Sequence, residues 1–377
     1  MRVAIVHDYL NQYGGAERVL EEIRAVYPDA DIKTAIHDPR RMPAAYRDWQ
    51  IEASWLNQVP MANRKHRWFL PVYPQAFESF DLSDYDLVIT SSSGFAHGVL
   101  TGAHTCNVCY CHSPPRFLWD YHNYVRREKV GRLQQALLSA YLLRLRQWDR
   151  VSAERTQAWI STSQVVSDRV RSFYGKDSTI IPPPVNVSRF DVGHGPGEHY
   201  LMLMRLVGWK RPDIVVEACT RQNLPLVVAG DGRALQDLRR IAGPTVRFVG
   251  RVDDEQMRGL YRDCKALIVP SEEDFGITPL EAMAAGRPVI AYGRGGILDT
   301  VRPGVTGVFF GTQTADSVIE AIATFEQSRF NGDAIRRHAE GFDSSVFRAR
   351  LGEFIDGQMR ARRGARQPQP ALALAGD

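Results

Sequence analysis

The segment Val269 to Tyr292, VPSEEDFGITPLEAMAAGRPVIAY, decides how the rest of the chain is read. Leu267 to Val269 is a short apolar run of the kind that ends a buried strand, and Pro270 stops it. The polar stretch Ser271 to Ile277 carries Gly276. Thr278-Pro279-Leu280-Glu281 then supplies a capping residue, a proline at the first helical position and a glutamate three residues after the cap. Ala282 to Ala285 favour helix, Gly286 is placed to end it, and Pro288-Val289-Ile290-Ala291 opens another strand. The order is strand, loop, helix, strand.

A loop that runs from a strand end into a helix N-terminus gathers unpaired N–H groups at the positive end of the helix dipole, which suits a phosphate. Spacing alone makes Glu281 half of a capping box. Glu273 lies on the loop itself, where open α/β sheets bind ligands, and its carboxylate suits a hydroxyl-rich group beside a phosphate.

The chain has 377 residues, enough for two domains that each bury a core. Apolar content of 44% and charged content of 24% are those of a soluble globular protein, and a net charge of +4 is too mild to argue for nucleic acid. No apolar run approaches the roughly 20 residues needed to span a bilayer. MRVAIVHDYL reads as a first strand and not as a signal peptide, so a cytoplasmic location is expected. Three of the five cysteines, Cys106, Cys109 and Cys111, precede His112. On a strand Cys109 and Cys111 share a face that Cys106 does not, which argues for buried thiols rather than zinc ligands. Asp29-Ala30-Asp31 and Asp84-Tyr85-Asp86 spell a pattern used elsewhere to hold a cation, but each leads into a short apolar strand and reads as a solvated approach to it. No metal is expected.

Val3 to Val6 reads as a strand, followed by a loop and then Gly14-Gly15-Ala16-Glu17 opening the helical run Arg18 to Tyr27; spacing alone makes the two glycines a tight turn. His112 ends the cysteine strand, and Pro114-Pro115 fix an irregular loop after it. Arg126 to Arg155 mixes basic and apolar residues, as a helix packed on its own domain does, or one touching anionic lipid. IIPPPV, Ile180 to Val185, is the expected linker between domains 1–183 and 184–342. The second domain alternates strands near Tyr200 to Met204, Leu226 to Ala229, Val246 to Val249, Ala266 to Val269 and Val289 to Ala291 with helical runs, a pattern that gives a mostly parallel sheet. Arg205 and Lys210 bracket the turn after its first strand. Gly230-Asp231-Gly232 lacks the third glycine of a phosphate fingerprint and reads as a strand-end turn. Residues 343–359 read as a further helix, and 360–377 as a disordered tail.

Glu273 and Glu281, with seven residues between them within PSEEDFGITPLEAMAAGRPVIA, resemble the signature of retaining GT-B glycosyltransferases of family 4, with Asp274 where the family commonly has glycine. The resemblance covers nearly the whole chain and implies an α/β GT-B fold, two doubly wound Rossmann-like domains facing a cleft, with residues 343–359 crossing back to the first. It implies transfer of a sugar from a nucleotide sugar with retention at the anomeric carbon. By that resemblance Gly14 and Gly15 lie against the donor diphosphate and the acceptor, and Arg205 and Lys210 neutralise the diphosphate together with backbone N–H groups of Gly276, Ile277 and Thr278. Glu273 holds sugar hydroxyls, Glu281 the ribose and His112 the sugar from the opposite side. Arg251 and Val252 lie where the backbone reads the nucleobase; Phe275 belongs to the donor loop, and Gly293 to Gly296 help close the site. Arg116 and Asp120 are weaker candidates for contacts to the acceptor or to sugar hydroxyls. LPVYPQAFESFDLSDYDLVITSS with CHSPPRFLWDY resembles bacterial transferases of O-antigen or exopolysaccharide, which implies GDP-mannose as donor, a polyprenyl-linked acceptor and peripheral association with the inner membrane. A sugar-nucleotide epimerase and a silent nucleotide-sugar-binding subunit are the alternatives on the same architecture.

Overall fold

A computed structural model of the protein describes residues 1–120 and 132–365. Two parallel sheets form it. The first has seven strands, β1 (Val3–His7), β2 (Asp31–Thr34), β3 (Ile51–Ala53), β4 (Leu87–Ser92), β5 (Cys106–Cys111), β6 (Ala158–Ser161) and β7 (Ser178–Ile180), in the order 3-2-1-4-5-6-7. The second has six, β8 (His199–Leu203), β9 (Leu226–Ala229), β10 (Val246–Gly250), β11 (Cys264–Val269), β12 (Val289–Tyr292) and β13 (Gly307–Phe310), in the order 10-9-8-11-12-13. The central strands are buried from end to end, β4 and β5 at every position, because crossover helices cover both faces of a parallel sheet. The alternation therefore identified the architecture, although short β3, β6, β7 and β13 were not anticipated.

Each sheet reverses its winding once, between β1 and β4 and between β8 and β11. At these switch points the helices leave the strand C-termini in opposite directions and open a crevice. Asp31 and Asp86 lie at the other, N-terminal ends of β2 and β4, held by Tyr85 and by the backbone of Arg2. Cys109 and Cys111 pack together on one face of β5 and Cys106 in the cluster on the other.

The two halves join at Ile181 to Val185, where the Val185 N–H donates to Phe342 O at 2.9 Å, so the outgoing linker and the returning chain lie side by side. The returning helix, Ser344–Ala365, buries Phe347, Leu351 and Ile355 in the first domain's core. It runs past Met359 through residues expected in the tail. Arginine and alanine are good helix formers, and the Arg362 guanidinium anchors this turn by donating to the carbonyls of Ala103 and His104. The remainder of that tail, 366–377, lies outside the described residues. So do residues 121–131, which include the first part of the basic-apolar segment. The rest forms the helix Arg132–Ala153, whose Leu142 and Leu145 enter the first domain's own core.

Candidate active site

The second domain's half of the site forms where β8 and β11 diverge. Arg205 follows β8 and is exposed, with no ion-pair partner among the described residues. Lys210, five residues on, reaches across the switch point and donates to Glu273 Oε1 at 2.9 Å, while Ser271 Oγ donates to the same oxygen at 2.5 Å. Burial alone would raise the Glu273 carboxyl, but the Lys210 ammonium and the two hydrogen bonds outweigh it and hold the group below its ordinary value. The Glu273 carbonyl accepts the Gly296 N–H at 2.8 Å, so the turn after β12 braces the loop.

The helix after this loop spans Ile277–Ala284, with Gly276 as its N-cap at φ 92°, so it begins before the expected Thr278. The left-handed backbone that glycine allows turns the chain into the helix early. The first-turn N–H groups of Ile277 and Thr278 then point out of the helix end without an intrahelical acceptor. Glu281 makes no capping box. Its buried carboxylate accepts from Arg18 of the first domain on one oxygen and from the Tyr261 hydroxyl, at 2.9 Å, on the other. The Phe275 side chain is buried in the second domain's core beside Phe342, which leaves only its backbone for a ligand. Val252 packs against that same core, and exposed Arg251 lies 3.6 Å from Asp231 at the end of β10, two strands from the switch point.

The first domain supplies the facing wall. Gly14 and Gly15 begin the helix Gly15–Val26, and a Cβ built on Gly15 would stand 2.9 Å from Ile277 Cδ1, so the two walls touch here and a side chain would make Ile277 turn aside. Asp8, just beyond β1, accepts the N–H groups of Ser93 (2.5 Å), Phe95 (2.9 Å) and Ala96 (2.9 Å), tying the ends of β1 and β4 together. His112 directly follows β5 and is half-buried; burial, with His7 nearby, pushes its imidazole down to about 3, so it is neutral at physiological pH. Its Nε2 lies 2.9 Å from Ser91 Oγ, and Ser91 Oγ lies 3.0 Å from His7 Nδ1.

Across the cleft Arg116 and Arg169 both donate to Asp274 Oδ1, Ser163 Oγ donates to the Asp274 carbonyl, and the Gln164 N–H donates to Asp299 at 2.6 Å. Arg116, considered above for an acceptor contact, thus pairs with the one loop residue that departs from the family's glycine. The structure therefore gathers Gly14, Gly15, Lys210, Glu273, Gly276, Ile277, Thr278 and Glu281 around one crevice. Sequence reasoning missed Arg18, Arg169 and Ser163, which close it, and Glu17 and His7, which stand behind His112. The glutamate of GGxE was the available signal for Glu17.

Two Rossmann-like domains whose switch points face each other across such a crevice define the GT-B architecture. Residues 13–189 match the model of Glycosyltransferase Family 4 and residues 188–340 that of Glycosyl transferases group 1, which together span residues 13–340; the chain belongs to this glycosyltransferase family. A D-inositol 3-phosphate glycosyltransferase of Geodermatophilus obscurus is 30% identical over 271 residues, 60% of each chain. An O-antigen chain mannosyltransferase C of Escherichia coli is 24% identical over 329 residues, 77% of this chain and 79% of that one. The first of these matches, and others like it, span only 60% or less of the relative's own length. Among solved structures, Anabaena HepE in complex with UDP and glucose shares the fold with a TM-score of 0.71 at 17% identity, over 94% of this chain and 99% of that one. A sucrose-phosphate synthase from Thermosynechococcus elongatus does so with 0.70 at 20% identity, over 96% and 100%.

Proposed function

We propose that the protein is a retaining hexosyltransferase that moves mannose from GDP-mannose onto a lipid-linked or oligosaccharide acceptor in bacterial surface polysaccharide synthesis. The observation that carries the transferase reading is the pairing of Lys210 with Glu273 at the β8/β11 switch point, beside the exposed Arg205 and the first-turn N–H groups of Ile277 and Thr278. Charge develops on the β-phosphate as the nucleoside diphosphate leaves, and these cations and dipoles are aimed at it, so no metal is required. Pro279 has no N–H to add. Glu273 and His112 hold the sugar from opposite sides. Ribose hydroxyls take the place of Arg18 on Glu281, which moves the guanidinium as donor enters. The acceptor hydroxyl attacks the anomeric carbon from the face that the phosphate leaves; a C–O bond forms, the bond to the phosphate oxygen breaks, and the proton passes to that phosphate.

The mannose reading is supported by the resemblance of residues 70–92 and 111–121 to polysaccharide transferases and by the similarity to the Escherichia coli O-antigen enzyme. A lipid-linked acceptor fits a protein at the cytoplasmic face of a membrane; no helix among the described residues is long and apolar enough to cross one. Binding of GDP, UDP, ADP and their sugar conjugates to the purified protein, with and without chelator, tests the proposal. Tightest binding of GDP-mannose, unmoved by chelator, is expected. A UDP-sugar preference would remove mannose, and absence of nucleotide binding would overturn the role given to Val269 to Tyr292.

A further inference from the structure

Behind His112 lies a chain of polar groups sealed from solvent. Glu17, Ser91 and His7 are each 2% exposed or less. Ser91 Oγ sits between the two imidazoles, 2.9 Å from His112 Nε2 and 3.0 Å from His7 Nδ1, and Glu17 Oε1 stands 3.7 Å from His7 Nε2. The last distance is too long for a hydrogen bond but close enough for the carboxylate's charge to act through a low-dielectric interior. Glu17 is the third residue of the helix Gly15–Val26, in its first turn.

We propose that Glu17 is a positioning residue that fixes the tautomer of His112 through His7 and Ser91. A single hydroxyl between two neutral imidazoles donates to one and accepts from the other, so the chain has two directions of equal geometry. The Glu17 charge distinguishes them. Facing a carboxylate, His7 places its proton on Nε2, because a lone pair there would be repelled. His7 Nδ1 then accepts the Ser91 O–H, and Ser91 Oγ accepts from His112 Nε2–H. His112 Nδ1, which has no partner among the described residues, is left as a bare acceptor for a hydroxyl proton. The reversed chain would present an N–H there, and a donor in that position would hold a sugar hydroxyl through its oxygen instead. That His112 meets the sugar rests on the function proposed above; the tautomer itself does not.

The ligand-free protein, labelled with ¹⁵N-histidine, is examined by long-range ¹H–¹⁵N correlation at mildly alkaline pH, where ordinary imidazoles of pKa about 6.5 are neutral. The expected wild-type signature is pyrrole-type Nε2 and pyridine-type Nδ1 for His112. Glu17→Gln keeps the shape but offers an amide N–H to His7, and Ser91→Ala removes the link; both are expected to lose the single tautomer while keeping the wild-type Tm within a few degrees. A wild-type His112 protonated on Nδ1 would overturn the proposal, as would a tautomer unmoved by Ser91→Ala or Glu17→Gln. Because no substrate is present, a failed transferase reading leaves this result intact. A tautomer that shifts in Glu17→Gln with unchanged turnover on a nucleotide sugar would count against the role of His112 and not against the chain behind it.

Discussion

At the residue scale the site is a balance of charges in a partly desolvated crevice. Glu273 is held ionised by Lys210, so the stability contributed by their pairing is fully present above the unfolded carboxylate pKa of about 4.3 and is lost as pH falls through the lower folded value. In Lys210→Met burial is opposed only by the Ser271 hydroxyl and the Arg116 charge, so the folded pKa of Glu273 rises from its wild-type position. That variant is therefore expected to be destabilised at pH 7 and to recover part of the deficit between pH 7 and pH 5, measured as denaturation midpoints across that range. A deficit that stays constant with pH would contradict the pairing. Glu273→Gln and His112→Ala are each expected to lower turnover roughly 100- to 1,000-fold, the scale of losing one transition-state contact, while nucleotide affinity holds within a few-fold. Near-wild-type turnover in either would remove that residue from the site. The residues that resemblance placed by motif were legible because their spacing follows the strand-loop-helix frame. The side chains that engage them were not: Arg18 reaches Glu281 from 263 positions away, and no local pattern encodes a contact between two domains.

At the element scale, the helix Ser344–Ala365 converts two domains into one molecule. Its Leu351 is fully buried in the first domain's core, and Leu351→Ala is expected to cost about 2–5 kcal/mol, read from urea unfolding. A change below about 0.5 kcal/mol would show that the helix does not dock there. This helix was visible in the sequence as a helical run after the second domain, whereas its last turn was hidden by the basic composition of RARRGA, which is shared by solvated helix ends and tails. The Ile277–Ala284 helix shows a related limit. Thr278 and Pro279 spell a start signal, but the left-handed turn at Gly276 sets the beginning earlier, and Glu281 serves Arg18 and Tyr261 instead of a capping box.

At the scale of the whole molecule, the two switch points are held face to face by contacts around Asp274. Arg116 and Arg169 converge on its carboxylate from the first domain. Asp274→Asn removes the charge and keeps the size, so the cleft is expected to open, with a larger radius of gyration in solution scattering and a faster release of bound nucleotide. Unchanged values for both would mean that the Asp274 carboxylate does not set the closure and that Arg18–Glu281, Gln164–Asp299 and the hinge at Val185 and Phe342 do. The alternation of strands and helices made the two-sheet architecture readable; the closure was not, because it depends on which side chains meet across a gap.

The most direct test of the account is the affinity for a nucleoside diphosphate, measured by calorimetry in the presence of chelator, in wild type and in the Arg205→Ala/Lys210→Met double variant. Two charge-assisted contacts at about 1.5–3 kcal/mol each predict a loss of roughly 100-fold or more, with wild-type binding indifferent to chelator. Equal affinity in the two proteins, or wild-type binding that vanishes with chelator, would contradict a diphosphate site built from Arg205, Lys210 and the Ile277–Ala284 helix.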